Sequence, residues 1–201
     1  MAITLEGRHL LSLDTQVEPG ETLTLMGPSG SGKSSLLAYI GGFLDPVFTA
    51  TGDIILDGQP LNRLPASKRR TGILFQDPLL FPHMSVGENL LFALPPSVQG
   101  VARKQQVEAA LEQVGLDGFI SRDPATLSGG QKARVALMRV LLSKPSALLL
   151  DEPFSKLDSE LRGQIRSLVF DEARRQNLPT ILVTHDGEDA KSAGGPIIRL
   201  D

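Results

Sequence analysis

The chain has 201 residues, 41% hydrophobic and 21% charged, with 20 basic and 23 acidic side chains that give a net charge of −3. This length and composition fit one domain with a real hydrophobic core and exclude a disordered, collagen-like or coiled-coil chain. The balanced charge gives no electrostatic reason to expect a nucleic acid as partner, and the absence of cysteine excludes a disulfide scaffold or a thiolate metal site.

The N-terminus and the apolar runs predict a cytosolic location. The first six residues place no basic region before an apolar one, unlike a signal peptide. The longest stretch without a strongly polar residue, residues 36–44, is much shorter than the roughly twenty residues that a membrane-spanning helix needs. We therefore expect a soluble protein.

Short apolar runs that end in polar or glycine-rich segments recur along the chain. They lie at residues 22–26, 72–75, 147–150 and 179–184. Runs of this length are typical of strands in a parallel sheet buried on both faces. Helical patterns lie between them, at residues 33–41, 103–114, 129–142 and 159–176. The alternation predicts an α/β fold.

Two further regions modify this α/β plan. Residues 85–144 have helical periodicity and no convincing strand, so we predict a helical subdomain there, inserted into a core of residues 1–84 and 145–201. Residues 5–17 and 52–57 contain strand-forming side chains and predict a smaller antiparallel layer.

Residues 27–34, Gly-Pro-Ser-Gly-Ser-Gly-Lys-Ser, match the phosphate-binding pattern G-x-x-x-x-G-K-[ST]. The glycines let the chain wrap with its N–H groups inward, and the following helix adds the positive end of its dipole. Lys33 supplies a charge for the outer phosphates, and the Ser34 hydroxyl can bind Mg²⁺. Because the motif lies between a predicted strand and a predicted helix, we predict a phosphate site.

Polar residues follow the other predicted strands. Asp151 and Glu152 come after residues 147–150, at the edge where open parallel sheets bind ligands. One carboxylate can hold Mg²⁺ while the next acts on a water molecule as base. Alone, this acidic pair would be equally well explained as a solvated pair at the end of a strand. Its place in a chain with a phosphate loop favours a functional role. For the same reason we consider Gln76 and His185 as candidates for contacts to metal, water or phosphate.

The segment Leu127, Ser128, Gly129, Gly130, Gln131 opens another predicted helix. Ser128 is the predicted N-cap, and the two glycines let a partner approach the positive end of the helix. An isolated Ser-Gly-Gly would indicate only a capped helix start.

With these motifs in this order, nearly the whole chain resembles the ATPase subunits of ATP-binding cassette (ABC) transporters. The resemblance implies a P-loop NTPase fold of class α/β, with a mainly parallel buried sheet, a small antiparallel β layer and an inserted helical subdomain. It assigns the Q-loop to Gln76, the signature to residues 127–131, the D-loop to residues 155–158 and the switch histidine to His185.

The resemblance also implies ATP and Mg²⁺ as ligands. The implied catalytic residues are Glu152, His185 and Gln76, and the implied metal ligands are Ser34, Gln76 and Asp151. The implied nucleotide-binding residues are Gly27, Pro28, Ser29, Gly30, Ser31, Gly32, Lys33, Ser34 and Ser35.

The implied partners are a second copy of the cassette and a separate transmembrane permease, with a solute-binding protein in import systems and no nucleic acid. In the head-to-tail homodimer, residues 127–131 act on the partner's ATP and Asp158 bridges the two sites. Residues 80–86 resemble the region of importer ATPases that meets the permease; their apolar side chains fit packing within the helical subdomain as well. The implied location is peripheral, on the cytoplasmic face of the cell (inner) membrane.

The chain departs from the family pattern at two places. No Phe, Tyr or Trp precedes the phosphate loop, where family members usually stack adenine. This leaves His9, a residue of the partner, or an apolar contact from Leu10 or Leu11 as alternatives. Lys156 stands where the D-loop often has a small residue, and we expect a solvated charge without a catalytic role.

The resemblance therefore predicts an ATP-hydrolysing transporter subunit, with import as the favoured direction. A non-transport ABC ATPase is the first alternative, although such proteins usually carry coiled coils, zinc-binding cysteines or two cassettes. A nucleotide-dependent scaffold without turnover is the second, and the presence of Glu152 argues against it.

Overall fold

The computed structural model describes residues 1–200, and for residues 159 and 160 it describes the backbone only. The strands are β1 (Ala2–Leu5), β2 (Arg8–Ser12), β3 (Thr22–Met26), β4 (Phe48–Thr51), β5 (Ile55–Leu56), β6 (Gln59–Pro60), β7 (Thr71–Leu74), β8 (Ala147–Asp151), β9 (Thr180–Val183) and β10 (Ile197–Arg199). The helices are α1 (Lys33–Gly41), α2 (Val86–Ala93), α3 (Val101–Gln113), α4 (Gly129–Leu142), α5 (Ser159–Arg175) and α6 (Gly187–Ala193).

The main sheet has the strand order β10-β3-β9-β8-β7. The pairs β10–β3, β3–β9 and β9–β8 are parallel, and β3 and β8 are buried except for their last residues. Burial on both faces explains why their sequences are continuously apolar rather than alternating. The predicted α/β fold with a mainly parallel sheet is confirmed.

The register of this sheet aligns the carboxyl ends of β3, β9 and β8. Leu25 of β3 lies opposite Val183 of β9, and Asp151 of β8 lies opposite the same Val183. The segments that follow these strands therefore begin side by side at the carboxyl edge of the sheet. This is the edge where open parallel sheets bind ligands.

The second sheet is antiparallel, with the order β2-β1-β4. The small antiparallel layer is thus confirmed. Of the predicted residues 52–57, Ile55–Leu56 form β5, which pairs antiparallel with β6 in a separate two-stranded sheet. The sequence did not predict β4, the other strand that pairs with β1, and Gly52 turns the chain after it at φ 94°. A Cβ at Gly52 would lie 2.5 Å from the Cα of Met1, so a close backbone approach ends the strand there.

The core between these sheets is aliphatic. Ile3 of β1 and Leu11 of β2 pack with Leu23 and Leu25 of β3 and with Leu36 of α1 in one buried cluster. Helix α1 is therefore fixed from both sheets, and the loop before it is held at a defined place.

The predicted bounds of α1 and α4 are those observed, and β7, β9, α3 and α5 differ from their predicted bounds by at most two residues at each end. Helices α2 and α6 and strand β10 were not predicted as separate elements. Helix α2 begins with a capping box, in which the side chains of Ser85 and Glu88 bond each other's backbone N–H groups. That Ser-x-x-Glu signal is present in the sequence.

The chain divides into two compact units. The first unit comprises Met1–Ile73, Ser146–Glu152 and the described chain from Val169 onward, and the second comprises Leu74–Pro145 and Pro153–Leu168. Across residues 1–200, none of the helices combines the length and apolarity required to cross a membrane.

Candidate active site

The loop after β3 depends on glycine at two positions for different reasons. Gly32 has φ 85°, a left-handed conformation that side chains disfavour. Gly27 has no room for a side chain, because a Cβ there would lie 2.6 Å from the carbonyl oxygen of Leu200. The loop is therefore a tightly built turn rather than a flexible glycine-rich segment.

The first turn of α1 is open toward this loop. Its N-cap is Gly32, which has no side chain to accept the N–H groups of that turn. At the start of α4, the Ser128 side chain accepts one such N–H group, that of Gln131. Uncapped N–H groups and the positive end of a helix dipole form an anion site.

Lys33 places a positive charge at the same loop. Its side chain is buried, and Nζ donates to the carbonyl oxygens of Gly27 at 2.8 Å and Pro28 at 2.7 Å and to the hydroxyl of Ser31 at 3.2 Å. These bonds hold the ammonium group over the loop, where it can meet an anionic ligand without rearrangement of the backbone.

The Asp151 carboxylate at the end of β8 lies near the Ser34 hydroxyl and the Lys33 charge. Burial raises the pKa of Asp151, and the Ser34 hydroxyl and the nearby charge of Lys33 oppose that shift. No group of three or more histidine or acidic side chains that could hold a metal occurs in the described part of the chain. A hydroxyl with one carboxylate still fits Mg²⁺, which prefers oxygen ligands and commonly takes the others from phosphate and water.

Glu152 directs its carboxylate to a different neighbour. Its backbone has φ 49°, and its N–H donates to the carbonyl oxygen of Val183 at 2.9 Å. Its Oε1 lies 2.8 Å from Nδ1 of His185. This hydrogen bond and the carboxylate charge raise the pKa of His185. The pair can therefore hold and move a proton beside the phosphate loop.

The predicted residues of the first unit thus meet at one sheet edge. The structure joins Ser34 to Asp151 and Glu152 to His185, and these pairs follow the aligned ends of β8 and β9. Ser35 lies in the first turn of α1. The other predicted residues, Gln76, residues 127–131 and Asp158, belong to the second unit.

In the second unit, the predicted N-cap role of Ser128 is confirmed. Its hydroxyl accepts from the N–H of Gln131 at 3.2 Å, and the Gln131 side chain accepts from the N–H of Ser128 at 2.9 Å. A Cβ at Gly129 would meet nothing within 4 Å among the described residues, whereas one at Gly130 would lie 3.3 Å from the carbonyl oxygen of Lys156. The described chain therefore gives no packing reason for glycine at position 129.

Asp158 and Gln76 occupy loops of this unit. The Asp158 carboxylate accepts from the N–H of Leu161 at 3.0 Å, in the first turn of α5. Gln76 is exposed just after β7. The next residue, Asp77, pairs with Lys156 at 2.5 Å, so Lys156 has an acidic partner that sequence reasoning missed.

Two polar side chains that sequence reasoning also missed, one buried and one half-buried, hold residues 77–85, which follow Gln76. Asn89 of α2 is fully buried; it accepts from the N–H of Phe81 and donates to the carbonyl oxygens of Phe81, Met84 and Ser85. Arg139 of α4 donates to the carbonyl oxygens of Pro78 and Leu79. A polar Asn at a core position of an apolar helix was the one available signal for this network.

Residues 80–86 fit both interpretations offered by the sequence. Phe81 packs edge-on against Phe92 at 5.1 Å between ring centroids, and Val86 is buried. Leu79 and Phe92, however, are 58% and 66% exposed. The segment itself packs within the second unit at Phe81 and Val86, and the uncovered apolar surface lies next to it, at Leu79 and Phe92.

The alternatives for an adenine contact also have defined places. Leu10 and Leu11 border the phosphate loop, since a Cβ at Gly32 would lie 3.3 Å from Leu10 Cβ and 2.9 Å from Leu11 Cδ2. His9 is exposed, and its Nε2 lies 2.8 Å from the hydroxyl of Ser12. Tyr39, past the loop, donates its hydroxyl to the carbonyl oxygen of Gly52, which is a structural role.

Comparison with known proteins decides the family. The family model described as ABC transporter matches residues 10–155. The chain belongs to the ABC transporter family. The chain is 52% identical over 184 residues to the uncharacterized ABC transporter ATP-binding protein YnjD of Escherichia coli K12. This alignment covers 92% of the chain and 85% of YnjD.

Two other similar proteins bear on activity and assembly. The thiamine import ATP-binding protein ThiQ of Vibrio vulnificus YJ016 is 41% identical over 195 residues, 96% of this chain and 82% of ThiQ. A dimeric, post-hydrolysis structure of the ATP-binding cassette MJ0796 bound to ADP and Pi superposes with TM-score 0.84 at 30% identity, covering 100% of this chain and 90% of that chain. This ABC protein is accordingly an ATP-binding transporter subunit and an ATPase.

Proposed function

We propose that this ABC ATPase binds ATP with Mg²⁺ at residues 27–35 and hydrolyses it in a head-to-tail homodimer that drives a separate permease. The observation that carries the proposal is the pairing of Ser34 with Asp151 and of Glu152 with His185 beside the phosphate loop. A nucleotide scaffold without turnover has no need of a carboxylate–histidine pair at that place.

The first unit supplies the hydrolytic groups. The loop N–H groups and Lys33 bind the phosphates, and Ser34 and Asp151 are the proposed ligands of Mg²⁺ in this unit. Bound there, Mg²⁺ neutralises charge on the outer phosphates. The Glu152 carboxylate accepts a proton from the attacking water as the bond to ADP breaks, and His185 donates to the γ-phosphate.

The second unit supplies the contacts to the partner's ATP. The Ser128 hydroxyl and the N–H groups of Gly129 and Gly130 bind the γ-phosphate at the positive end of α4. Leu127 is buried and Gln131 completes the capping box, so both hold the signature in place. The open space at Gly129 and the dimeric assembly of the similar MJ0796 support this role. Asp158 is proposed to bridge the two sites.

The proposed membrane partner is a permease on the cytoplasmic face of the inner membrane, in an import system with a solute-binding protein. The uncovered side chains of Leu79 and Phe92 support a docking surface after Gln76. The import direction is supported by the description of ThiQ as an import ATP-binding protein. We also propose that residues 85–144 form the helical subdomain of this ABC ATPase.

The test is a pair of substitutions in the first unit. Glu152→Gln removes the base, so ATP hydrolysis should fall about a hundredfold or more, while ATP binding is retained. Lys33→Ala should abolish binding of a fluorescent ATP analogue. Glu108→Gln on the exposed surface of α3 is the matched control and should hydrolyse normally. Normal hydrolysis by Glu152→Gln, or normal binding by Lys33→Ala, would contradict the assigned roles.

A further inference from the structure

An ion pair in the second unit connects two loops that are far apart in sequence. Nζ of Lys156 lies 2.5 Å from Oδ1 of Asp77, across a separation of 79 residues. Asp77 directly follows Gln76, and Lys156 lies two residues before Asp158. The side chains are 38% and 77% exposed.

The backbone at Lys156 is held from another side. Its carbonyl oxygen lies 3.3 Å from the position of a Cβ on Gly130, so residue 156 packs closely on the first turn of α4. Asp158 also acts on Arg134 of α4 through its charge. Lys156 therefore stands between Asp77 and the helix that begins with the signature.

An exposed ion pair contributes little to the stability of a fold, because water screens the charges and two side chains lose freedom. Its geometric effect is larger here, because residues 77–80 form no helix or strand. The ion pair fixes the distance between the segment after Gln76 and the segment that carries Asp158.

We propose that Lys156 and Asp77 are positioning residues for ATP hydrolysis. Their ion pair fastens the segment after Gln76 to the D-loop and, through the backbone of Lys156, to Gly130. The three segments then keep one arrangement when the signature meets the partner's nucleotide. This proposal rests on the proposed function, which gives Gln76, Asp158 and the signature their roles.

The kinetic test combines single, double and exchanged variants. Lys156→Ala and Asp77→Ala should each lower kcat about three- to tenfold, as expected for one contact between coupled residues, with KM for ATP unchanged. The double variant should be no slower than either single one. Exchanging the charges, with Lys156→Asp and Asp77→Lys together, should restore kcat to within about twofold. Lys104→Ala, which removes an exposed ion pair of α3, is the matched control.

Three kinetic results would overturn the proposal: single variants as fast as Lys104→Ala, losses that multiply in the double variant, or an exchanged variant without recovery. Backbone hydrogen exchange provides a second readout that does not need turnover. Lys156→Ala should speed exchange in residues 76–80, and Asp77→Ala should speed it in residues 155–158. If hydrogen exchange in these segments is as slow in Lys156→Ala and Asp77→Ala as in Lys104→Ala, the proposal is also overturned.

The same experiments separate this proposal from the proposed function. If Glu152→Gln hydrolyses ATP normally, the proposed function fails, and hydrogen exchange still decides whether the ion pair holds the two loops. If Glu152→Gln is inactive and the ion-pair variants match Lys104→Ala, only the present inference fails.

Discussion

Two consecutive carboxylates, Asp151 and Glu152, serve different neighbours because the backbone changes direction between them. Asp151 ends β8 in extended conformation and meets Ser34. Glu152 has φ 49° and meets His185. A left-handed conformation at a residue with a side chain costs about 1–3 kcal/mol, and the bond from its N–H to Val183 helps to hold it. The left-handed conformation at Glu152 thus separates the proposed metal ligand, Asp151, from the proposed base, Glu152.

The Glu152–His185 pair predicts a measurable titration. The pKa of His185 should lie above that of an ordinary histidine and should fall when Glu152→Gln removes the hydrogen bond and the negative charge. Because the protonated imidazole is favoured in the folded state, the pair stabilises the fold at pH below the ordinary histidine range. That contribution is lost as the pH rises through the raised pKa.

Proton NMR of the imidazole ring measures this pKa, and His185→Gln identifies the resonance among the three histidines. An unchanged His185 titration in Glu152→Gln would show that the carboxylate is not the cause of the shift.

Gly129 offers a test that separates function from folding. Since a Cβ there meets nothing within 4 Å in the described chain, Gly129→Ala should leave the melting temperature unchanged or raise it, because Ala favours helix. ATP hydrolysis should nevertheless fall at least about tenfold, since the methyl group blocks close approach of the partner's phosphate. The measurements are thermal unfolding and phosphate release.

Gly163→Ala is the matched control for this prediction. Gly163 lies within α5, where a Cβ also meets nothing within 4 Å in the described chain, so this variant should gain stability and hydrolyse ATP normally. If Gly129→Ala hydrolyses ATP as fast as Gly163→Ala, then the exposed glycine at position 129 has no role at an interface.

Helices α2 and α4 together shape residues 77–85. Asn89 supplies acceptor and donor groups from α2, and Arg139 supplies donors from α4. Burial lowers the pKa of Arg139. The segment has few backbone hydrogen bonds of its own, so the conformation of residues 78–85 depends on these two side chains.

Asn89→Ala should therefore lower the free energy of unfolding by about 1–2 kcal/mol, because it leaves half-buried N–H and C=O groups of residues 81–85 without their partner. Urea denaturation measures the loss, and hydrogen exchange should rise in residues 78–85. Gln99→Ala, at an exposed position of the same unit, should change neither. A loss below about 0.5 kcal/mol would mean that water replaces the amide.

The elements predicted well from sequence are those whose pattern is local. Strands β3 and β8 are continuous apolar runs, and α1 and α4 follow glycine-rich starts. Strand β4 was missed because it pairs with β1, and Gly52 ends it beside Met1, both of which lie far away in sequence. The two short elements α6 and β10 contain too few residues to show a period.

The same distinction applies to the site. The phosphate loop, Asp151, Glu152 and His185 lie at strand ends, where sequence patterns place functional groups. The partners of Arg139 and Lys156 are 50 to 79 residues away. Such pairs depend on how helices pack, and one sequence has no local signal for them.

The whole chain holds two different sets of groups in two units. The first unit carries the phosphate loop and the Glu152–His185 pair, and the second carries the signature with an open Gly129. If these sets complete one another between two copies, as proposed, ATP is part of the interface. The dimer should then form only when ATP is bound and not yet hydrolysed.

Sedimentation velocity of Glu152→Gln tests this central claim most directly. The account predicts a monomer without nucleotide and a dimer with ATP and Mg²⁺. Adding Ser128→Arg to the same chain should leave ATP binding intact and keep the protein monomeric, because the signature can no longer reach the partner's phosphate. A monomer at saturating ATP, or a dimer that forms equally well with Ser128→Arg, would contradict the account.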